Sequence, residues 1–315
     1  MRPVQALSIE QLDVASRLGA LTGETVEDVG SRLGVRAIPQ RADLSRTIPK
    51  LLQAKFKRAG VRYGLPYVEL HNGRVFYGLP SQRSHVQQHR LLRGLLDPDL
   101  PPECFLCALD VVHRYVADET IPVDLLPRPD GTIVEVGAYL GHKAMRMMDA
   151  SIGTTGHFVA IELMPENCEI MRRNFTENGF SNTVIVREGV WNQPGEIEVM
   201  GKGQQRNTLV EIDGGRLSVP TGYLAPVSPL SDILSRTLPE GSIVDFMYLS
   251  VNGAELEAIE GLGDWAARVR SIRVAAPYRR EGGSNATRAR ALLEHMGFGI
   301  ASGPRPTIVL GTRAC

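Results

Sequence analysis

The amino-acid sequence predicts an α/β fold: a doubly wound, mostly parallel seven-stranded sheet, preceded by a mainly helical N-terminal region. Three observations predict it. From Gly131 onward, the short apolar runs TIVEV, HFVAIEL, NTVIVREGV, IVDFMYLSV and SIRVAAP alternate with stretches of helical period. The last two apolar runs, FGIAS and PTIVLGT, have no helical stretch between them, so the sheet should finish in an antiparallel pair. Upstream of the proline-bounded linker IPVDLLPRPDG that alternation is missing.

Taken in order, residues 1–60 read as short helices. Ser8 can cap a segment whose Ile9, Leu12, Ala15 and Leu18 share a face, and Glu24 or Thr25 opens a second helix through Val29 and Leu33, stopped by Gly34. The basic run Lys55, Lys57 and Arg58 reads as a solvated helix face. YVELHNGRVFYGL alternates and turns at Asn72-Gly73, a hairpin signal. Helices follow over 85–96 and 103–116. In the α/β part, helices are expected over 141–151, 165–178, 230–238, 254–262 and 286–296. EIEVM and NTLVEID read as an antiparallel insertion around the loop GKGQQR.

Composition excludes several classes. Hydrophobic residues are 43% and charged residues 22%, ordinary for a globular protein, and no apolar run approaches the ~20 residues that span a bilayer. With no secretory signal visible, a cytoplasmic protein is expected. Basic and acidic residues balance at 35 each, whereas a protein that tracks phosphates carries a basic excess, so no nucleic-acid partner and no membrane partner is expected. Acidic residues on the element 24–33 count against a helix-turn-helix there. Four cysteines are no disulfide scaffold in 315 residues. Cys104 and Cys107 form a C-x-x-C, with His85 and His89 spaced i, i+4 upstream; the surrounding helix is apolar, so packed thiols are expected and not a zinc site.

The chemistry concentrates at the predicted strand ends. Glu135, Gly137, Tyr139 and Gly141 form a G-x-x-x-G turn directly after a buried strand, where a doubly wound sheet binds ligands. Glycine there allows close backbone approach and the turn itself. Glu162 ends the second strand, placed to accept bonds from ribose hydroxyls of a nucleoside. Glu188, Gly189 and Val190 end the third, where an adenine would fit. The glycine spacing is not the G-x-G-x-x-G of a dinucleotide site.

EVGAYLG, ELMPENCEIMRRNFTENGFSNTVIV, VDFMYLSVNGAELEAIEGL and the closing HMGFGI resemble the FkbM-type methyltransferases, over residues 131–312. The resemblance implies a class I methyltransferase-like sheet and S-adenosylmethionine as cofactor. It implies that Glu135, Gly137 and Gly141 line the methionine part, and Glu162 holds the ribose. Leu163, Glu188, Gly189 and Val190 border the adenine, and Ser250 and Asn252 face the sulfonium. It also implies a small-molecule acceptor, a hydroxyl on a sugar or secondary metabolite. The chain departs from the family where K-I-D-V-E becomes Tyr248-Leu249-Ser250-Val251-Asn252, which removes two acidic groups. The first turn, with Tyr139, is partly similar to that of catechol-type O-methyltransferases, whose metal-holding carboxylates have no counterpart in Ser250 and Asn252, so no metal is expected.

A neutral Ser or Asn positions a substrate but takes no proton from an alcohol at neutral pH. His142 is the candidate base, because a free imidazole titrates at about 6.5, near neutrality; the plainer alternative is that it caps its helix or touches the cofactor carboxylate. Transfer to an amine or thiolate needs little beyond alignment. Three alternatives therefore stand beside O-methylation: N-methylation, cofactor binding without catalysis, and a nicotinamide-dependent oxidoreductase on the same fold. The expected division is residues 1–120, serving as a lid, substrate-binding or dimerisation region (a homodimer), and 121–315 as the cofactor domain. Trp191 and Trp265 are expected as core or crevice aromatics.

Overall fold

The run Thr132–Val136 is buried at every position, and this strand lies in the interior of the sheet. In the computed structural model, which describes residues 56–80, 100–116, 122–127, 129–153, 155–201, 207–213, 219–303 and 305–313, the chain divides into two compact units, Met1–Glu119 and Thr120–Cys315. The helices expected over 1–55 and 85–96 lie outside the described residues, as do His85 and His89.

In the first unit, strands β1 (Phe56–Arg62), β2 (Leu65–Leu70) and β3 (Val75–Tyr77) form an antiparallel meander backed by helix α1 (Pro102–Val111), which widens into a π turn over Val112–Val116. The hairpin predicted at Asn72-Gly73 is present. Leu70 and Arg74 face each other across residues 71–73, with Gly73 at φ +85°, a three-residue loop. Strand β1 corrects the helical expectation for residues 56–60. Lys57 and Arg58 lie on this strand, not on a helix face, and both donate to the buried Glu69 of β2, with Lys57 Nζ at 2.8 Å. The cysteines are packed thiols: Cys104 Sγ donates to Gly60 O at 3.1 Å and Cys107 Sγ to Phe76 O at 3.4 Å. Gly78 is required beside them, because a Cβ there would meet Cys107 Cβ at 2.9 Å.

The second unit carries the seven-stranded sheet. Its strands are β4 (Thr132–Val136), β5 (His157–Ile161), β6 (Thr183–Val186), β11 (Val244–Leu249), β12 (Val269–Ala275), β15 (Gly299–Ser302) and β16 (Ile308–Thr312), in the order β15-β16-β12-β11-β4-β5-β6. The pairs from β12 to β6 are parallel, and β16 is antiparallel to both its neighbours. The strand order reverses between β4 and β11, which makes their carboxyl ends the switch point where such sheets open a crevice. At the opposite end, Asp245 fixes the register. It accepts from Thr132 N at 2.8 Å and from Arg270 of β12 at 2.8 Å.

Both faces are covered, as the runs with few polar positions require. On one face Val134, Val136, Val159, Ile161, Met247, Leu249, Ile272 and Val274 pack with helices α4 (Leu230–Thr237), α5 (Glu255–Glu260) and α6 (Asn285–His295). On the other, α2 (His142–Ala150) and α3 (Pro165–Glu177) lie over β5 and β6, and Phe158 meets Phe175 edge-on at 6.3 Å between ring centroids. The predicted helices of this unit all form, each within two residues of its expected ends.

The third expected strand, NTVIVREGV, is two. After β6 the chain leaves the main sheet, and β7 (Gly189–Val190) pairs with β10 (Pro220–Ser228) in a second sheet of order β7-β10-β8-β9, with β8 (Gly195–Gly201) and β9 (Asn207–Thr208). The predicted antiparallel insertion thus exists, but its main partner strand is β10. Beyond β12 a small hairpin, β13 (Arg279–Arg280) with β14 (Gly283–Ser284), precedes α6. Among the described residues no helix is long and apolar enough to cross a membrane.

Candidate functional site

The turn after β4 is held from inside the protein. Gly137 has φ +82°, and an added Cβ would lie 2.1 Å from Ser250 O; the two central strand ends touch here. Gly141, at φ +78°, would collide with Met171 and Phe175 of α3. The space these glycines keep free is therefore taken by protein, a role the sequence spacing did not separate from close ligand approach. Between them Tyr139, also at positive φ (53°), donates its N–H to Glu162 Oε2 at 2.8 Å.

Glu162, one residue beyond β5, is the organising group. It is 7% exposed, and its Oε1 accepts from Met164 N at 3.0 Å and Asn167 Nδ2 at 3.1 Å. Burial pushes its pKa up, against the pull of these donors. A carboxylate offers about four acceptor positions. Three are filled here, so one further donor can be taken on Oε2.

Glu162 opens onto a small, partly open cleft at the carboxyl ends of β4, β5 and β11. The cleft gathers six of the sequence-predicted site residues: Gly137, Glu162, Leu163, Glu188, Gly189 and Val190. Its remaining walls are Val136, Ile161, Leu209, Val251 and Ala254. Glu188 is held at the rim by Ser228 Oγ, which donates at 2.8 Å, and by Arg236 at 2.6 Å. Leu209 was not foreseen. It comes from the insertion, and nothing in NTLVEID marks it as a wall, because an isolated apolar pair carries no chemical signature.

The other predicted residues lie outside the cleft lining. His142 is the first residue of α2 and only 1% exposed, with Gly141 as the N-cap in left-handed conformation. Glu135 is buried on the face of the sheet that Val136 does not share, in register with Tyr248, which is in turn in register with Arg273. Arg273 stacks over the Tyr248 ring at 4.3 Å; Lys143 of α2 lies at the same distance and donates to the Tyr248 hydroxyl. Ser250 donates its N–H to Val136 O at 2.9 Å, continuing the β4–β11 ladder.

Asn252 stands at φ +50° in the turn after β11. Its Nδ2 donates to Asn207 O at 2.9 Å, and its Oδ1 accepts from Tyr278 OH at 3.3 Å. Gly253 next to it donates to Glu255 Oε1 at 2.8 Å, while Asn285 Nδ2 donates to Glu255 Oε2 at 2.8 Å and to Gly253 O at 3.0 Å. Arg280, paired with Glu257 at 2.8 Å, also donates to Gly253 O. Trp191 is half-buried beside the cleft, and Trp265 is core, donating to Ser235 Oγ at 2.8 Å. Cys168 is buried behind Glu162, donates to its carbonyl at 3.3 Å, and has its pKa pushed up to about 12 by burial. Among the described residues no group of three or more His, Cys, Asp or Glu side chains is placed to hold a metal.

Solved structures similar to this chain include methyltransferases. Methyltransferase FkbM from Methylobacillus flagellatus KT is 14% identical, with a TM-score of 0.40 over 66% of this chain and 54% of its own. This chain thus spans about half the length of that protein. Precorrin-6y C5,15-methyltransferase from Geobacter metallireducens GS-15 is also 14% identical, with a TM-score of 0.37 over 63% of this chain and 93% of its own. Aeropyrum pernix fibrillarin, solved with natively bound S-adenosyl-L-methionine, is 13% identical, with a TM-score of 0.38 over 82% and 98%. No protein-family profile matches the chain, and no curated protein does.

Proposed function

We propose that the unit Thr120–Cys315 binds S-adenosylmethionine in the switch-point cleft and transfers its methyl group to a small-molecule acceptor. The observation that supports this reading above all is Glu162: a buried carboxylate at the carboxyl end of β5, next to the switch-point strand β4, facing a cleft with one acceptor position to spare. That is where a nucleoside ribose is held in a doubly wound sheet. The fit is chemical as well as positional. Oε2 of Glu162 takes a ribose hydroxyl, and Leu163, Val190 and Gly189 offer an apolar slot for a base, with Glu188 at its rim.

Bound there, S-adenosylmethionine supplies an electrophilic methyl carbon on a sulfonium. The protein's own work is alignment and exclusion of water in a narrow cleft. An acceptor held in the cleft would take the methyl group, leaving a neutral thioether, and its proton would pass to a base or to solvent. His142 is the nearest candidate base in sequence to the turn, and Ser250 the candidate positioning group. The acceptor class we favour is a hydroxyl of a sugar or secondary metabolite, acted on in the cytoplasm without nucleic acid or membrane as partner; an amine acceptor needs no base and fits the same cleft.

A second reading, cofactor binding without transfer, draws on the burial of His142 and on the side-chain amide of Asn252 being engaged with protein groups. Calorimetric titration with S-adenosylmethionine, S-adenosylhomocysteine and NAD separates the readings. Binding of the two sulfur nucleosides and not NAD is expected, and a preference for NAD would replace this reading with an oxidoreductase. Formation of S-adenosylhomocysteine across a panel of hydroxyl and amine acceptors then decides between catalysis and binding alone.

A further inference from the structure

Residues 207–213 of the insertion run across the carboxyl ends of the central strands, and their side chains divide between two small apolar clusters. Leu209 packs with Met164, Val199, Ala225 and Val227 on the base side of the cleft. Val210 and Ile212 pack with Ala254, and Val251 and Tyr278 lie against them. The contacts are close: a Cβ on Gly189 would meet Leu209 Cδ1 at 2.9 Å, and a Cβ on Gly253 would meet Val210 Cγ2 at 2.9 Å. The segment is tied down at both ends by polar bonds. Asn252 Nδ2 holds Asn207 O at one end, and Asp213 at the other donates its N–H to Arg279 O at 3.0 Å and accepts from Gly282 N at 3.0 Å.

We propose that residues 207–213 are a strap that roofs the base subsite, with Leu209 contacting the nucleoside base and Asn252 acting as the latch that seats the strap. This rests on the cofactor reading above and assigns Asn252 as a positioning residue, acting through the strap and not on the methyl group. The backbone at Asn252 fits the role. Asn tolerates the left-handed conformation better than most residues, and its amide can then reach sideways to a neighbouring carbonyl. The latch bond joins the turn after β11 to the insertion, so ligand in the cleft and closure of the strap favour each other.

The full-length chain and S-adenosylhomocysteine as probe are sufficient for the test. Asn252→Gly removes the latch while keeping the positive φ without strain. Leu209→Ala removes the wall, Leu209→Met conserves its volume, and Leu224→Ala, at an exposed position of the same insertion, is the control. In the unliganded protein, Asn252→Gly should raise hydrogen exchange at 207–213 and leave β4 and β11 unchanged. With the probe, Leu209→Ala should raise Kd about tenfold, and Asn252→Gly should speed dissociation about tenfold. Leu224→Ala should bind as wild type, and Leu209→Met, which keeps the volume of the wall, should bind more tightly than Leu209→Ala. Unchanged exchange at 207–213 in Asn252→Gly overturns the latch, and unchanged Kd in Leu209→Ala, with the wild type binding, overturns the wall. A wild type that binds no probe overturns the cofactor reading itself, and the two failures are told apart on that ground.

Discussion

Two turns bound the crevice, one after β4 and one after β11, and they are built alike. Each carries a non-glycine residue at positive φ, Tyr139 and Asn252, with glycines at positive φ beside it or nearby. Each donates a backbone N–H to a buried glutamate, Tyr139 to Glu162 and Gly253 to Glu255. Each glutamate also accepts from a helix asparagine, Asn167 or Asn285. Burial raises the pKa of both carboxyls. The difference is exposure: Glu162 lines the cleft, whereas Glu255 is wholly buried beneath its turn. The same device thus serves once as scaffold alone and once as scaffold whose carboxylate also faces the cleft. A buried acidic residue after a strand is therefore no guide to function until it is known whether its carboxylate faces a cleft.

The sharpest way to break this comparison is to remove each carboxylate. Glu162→Ala strips the acceptor from three buried donors. It should cost about 3 kcal/mol or more in denaturant unfolding and lower S-adenosylhomocysteine affinity by about 100-fold. Glu255→Ala strips two and should cost about 2–3 kcal/mol, with affinity of the folded fraction changing only a few-fold. If both variants lose affinity equally, the division between scaffold and ligand-facing carboxylate is wrong. Next in size, Gly141→Ala forces a Cβ against Met171 and Phe175 at left-handed φ, and should lower stability by about 1–3 kcal/mol.

A smaller effect is one of pH. Because the folded pKa of Glu162 and Glu255 lies above its unfolded value, the native state binds these protons more tightly. Their contribution to stability is therefore greatest below the unfolded carboxylate pKa, and falls as pH rises through the folded one. Glu255→Gln should flatten that part of the stability profile measured from pH 4 upward. Glu69 in the first unit has the opposite sign. The hydrogen bond from Lys57, opposed by burial and helped by Arg58, holds its pKa down, so its contribution is present above the unfolded pKa and lost as pH falls through the folded one. Lys57→Met should reduce that acid sensitivity slightly, as expected for a half-exposed partner.

The central sheet was legible because strands buried on both faces cannot hide: TIVEV and IVDFMYLSV are mostly apolar and rich in β-branched residues. The strand ends also gave away Glu162 and the Glu188-Gly189-Val190 turn. The second sheet was legible only in part: β8 and β9 were expected as an antiparallel pair, but β10 was not. Strand β10 carries Pro220 and Pro226, which read as breakers, yet β7 pairs with β10 only at Val227 and Ser228, so the missing N–H of Pro226 is not demanded there. Strand β1 was hidden by its charges, since Lys57 and Arg58 find their partner, Glu69, only across the sheet. The strap was hidden for another reason. Leu209, Val210 and Ile212 acquire meaning from Gly189 and Gly253, glycines far away in the chain whose missing side chains make room for them.

The joining of β4 to β11 has a further consequence, in time rather than space. Thr132 and the Asp245 carboxylate that receives its N–H are 113 residues apart, with the second sheet and the strap in the interval. Strands β4 and β5 each pair with the next strand in the chain through a single helical crossover, whereas β11 must return across this long interval. The loop entropy itself grows slowly, by about 0.6 kcal/mol per doubling of length, but such non-local pairings slow folding. A nascent chain that ends before β11 has Glu162 and its turn but no opposite wall, so ligand binding should arise only once the last third of the chain has been made.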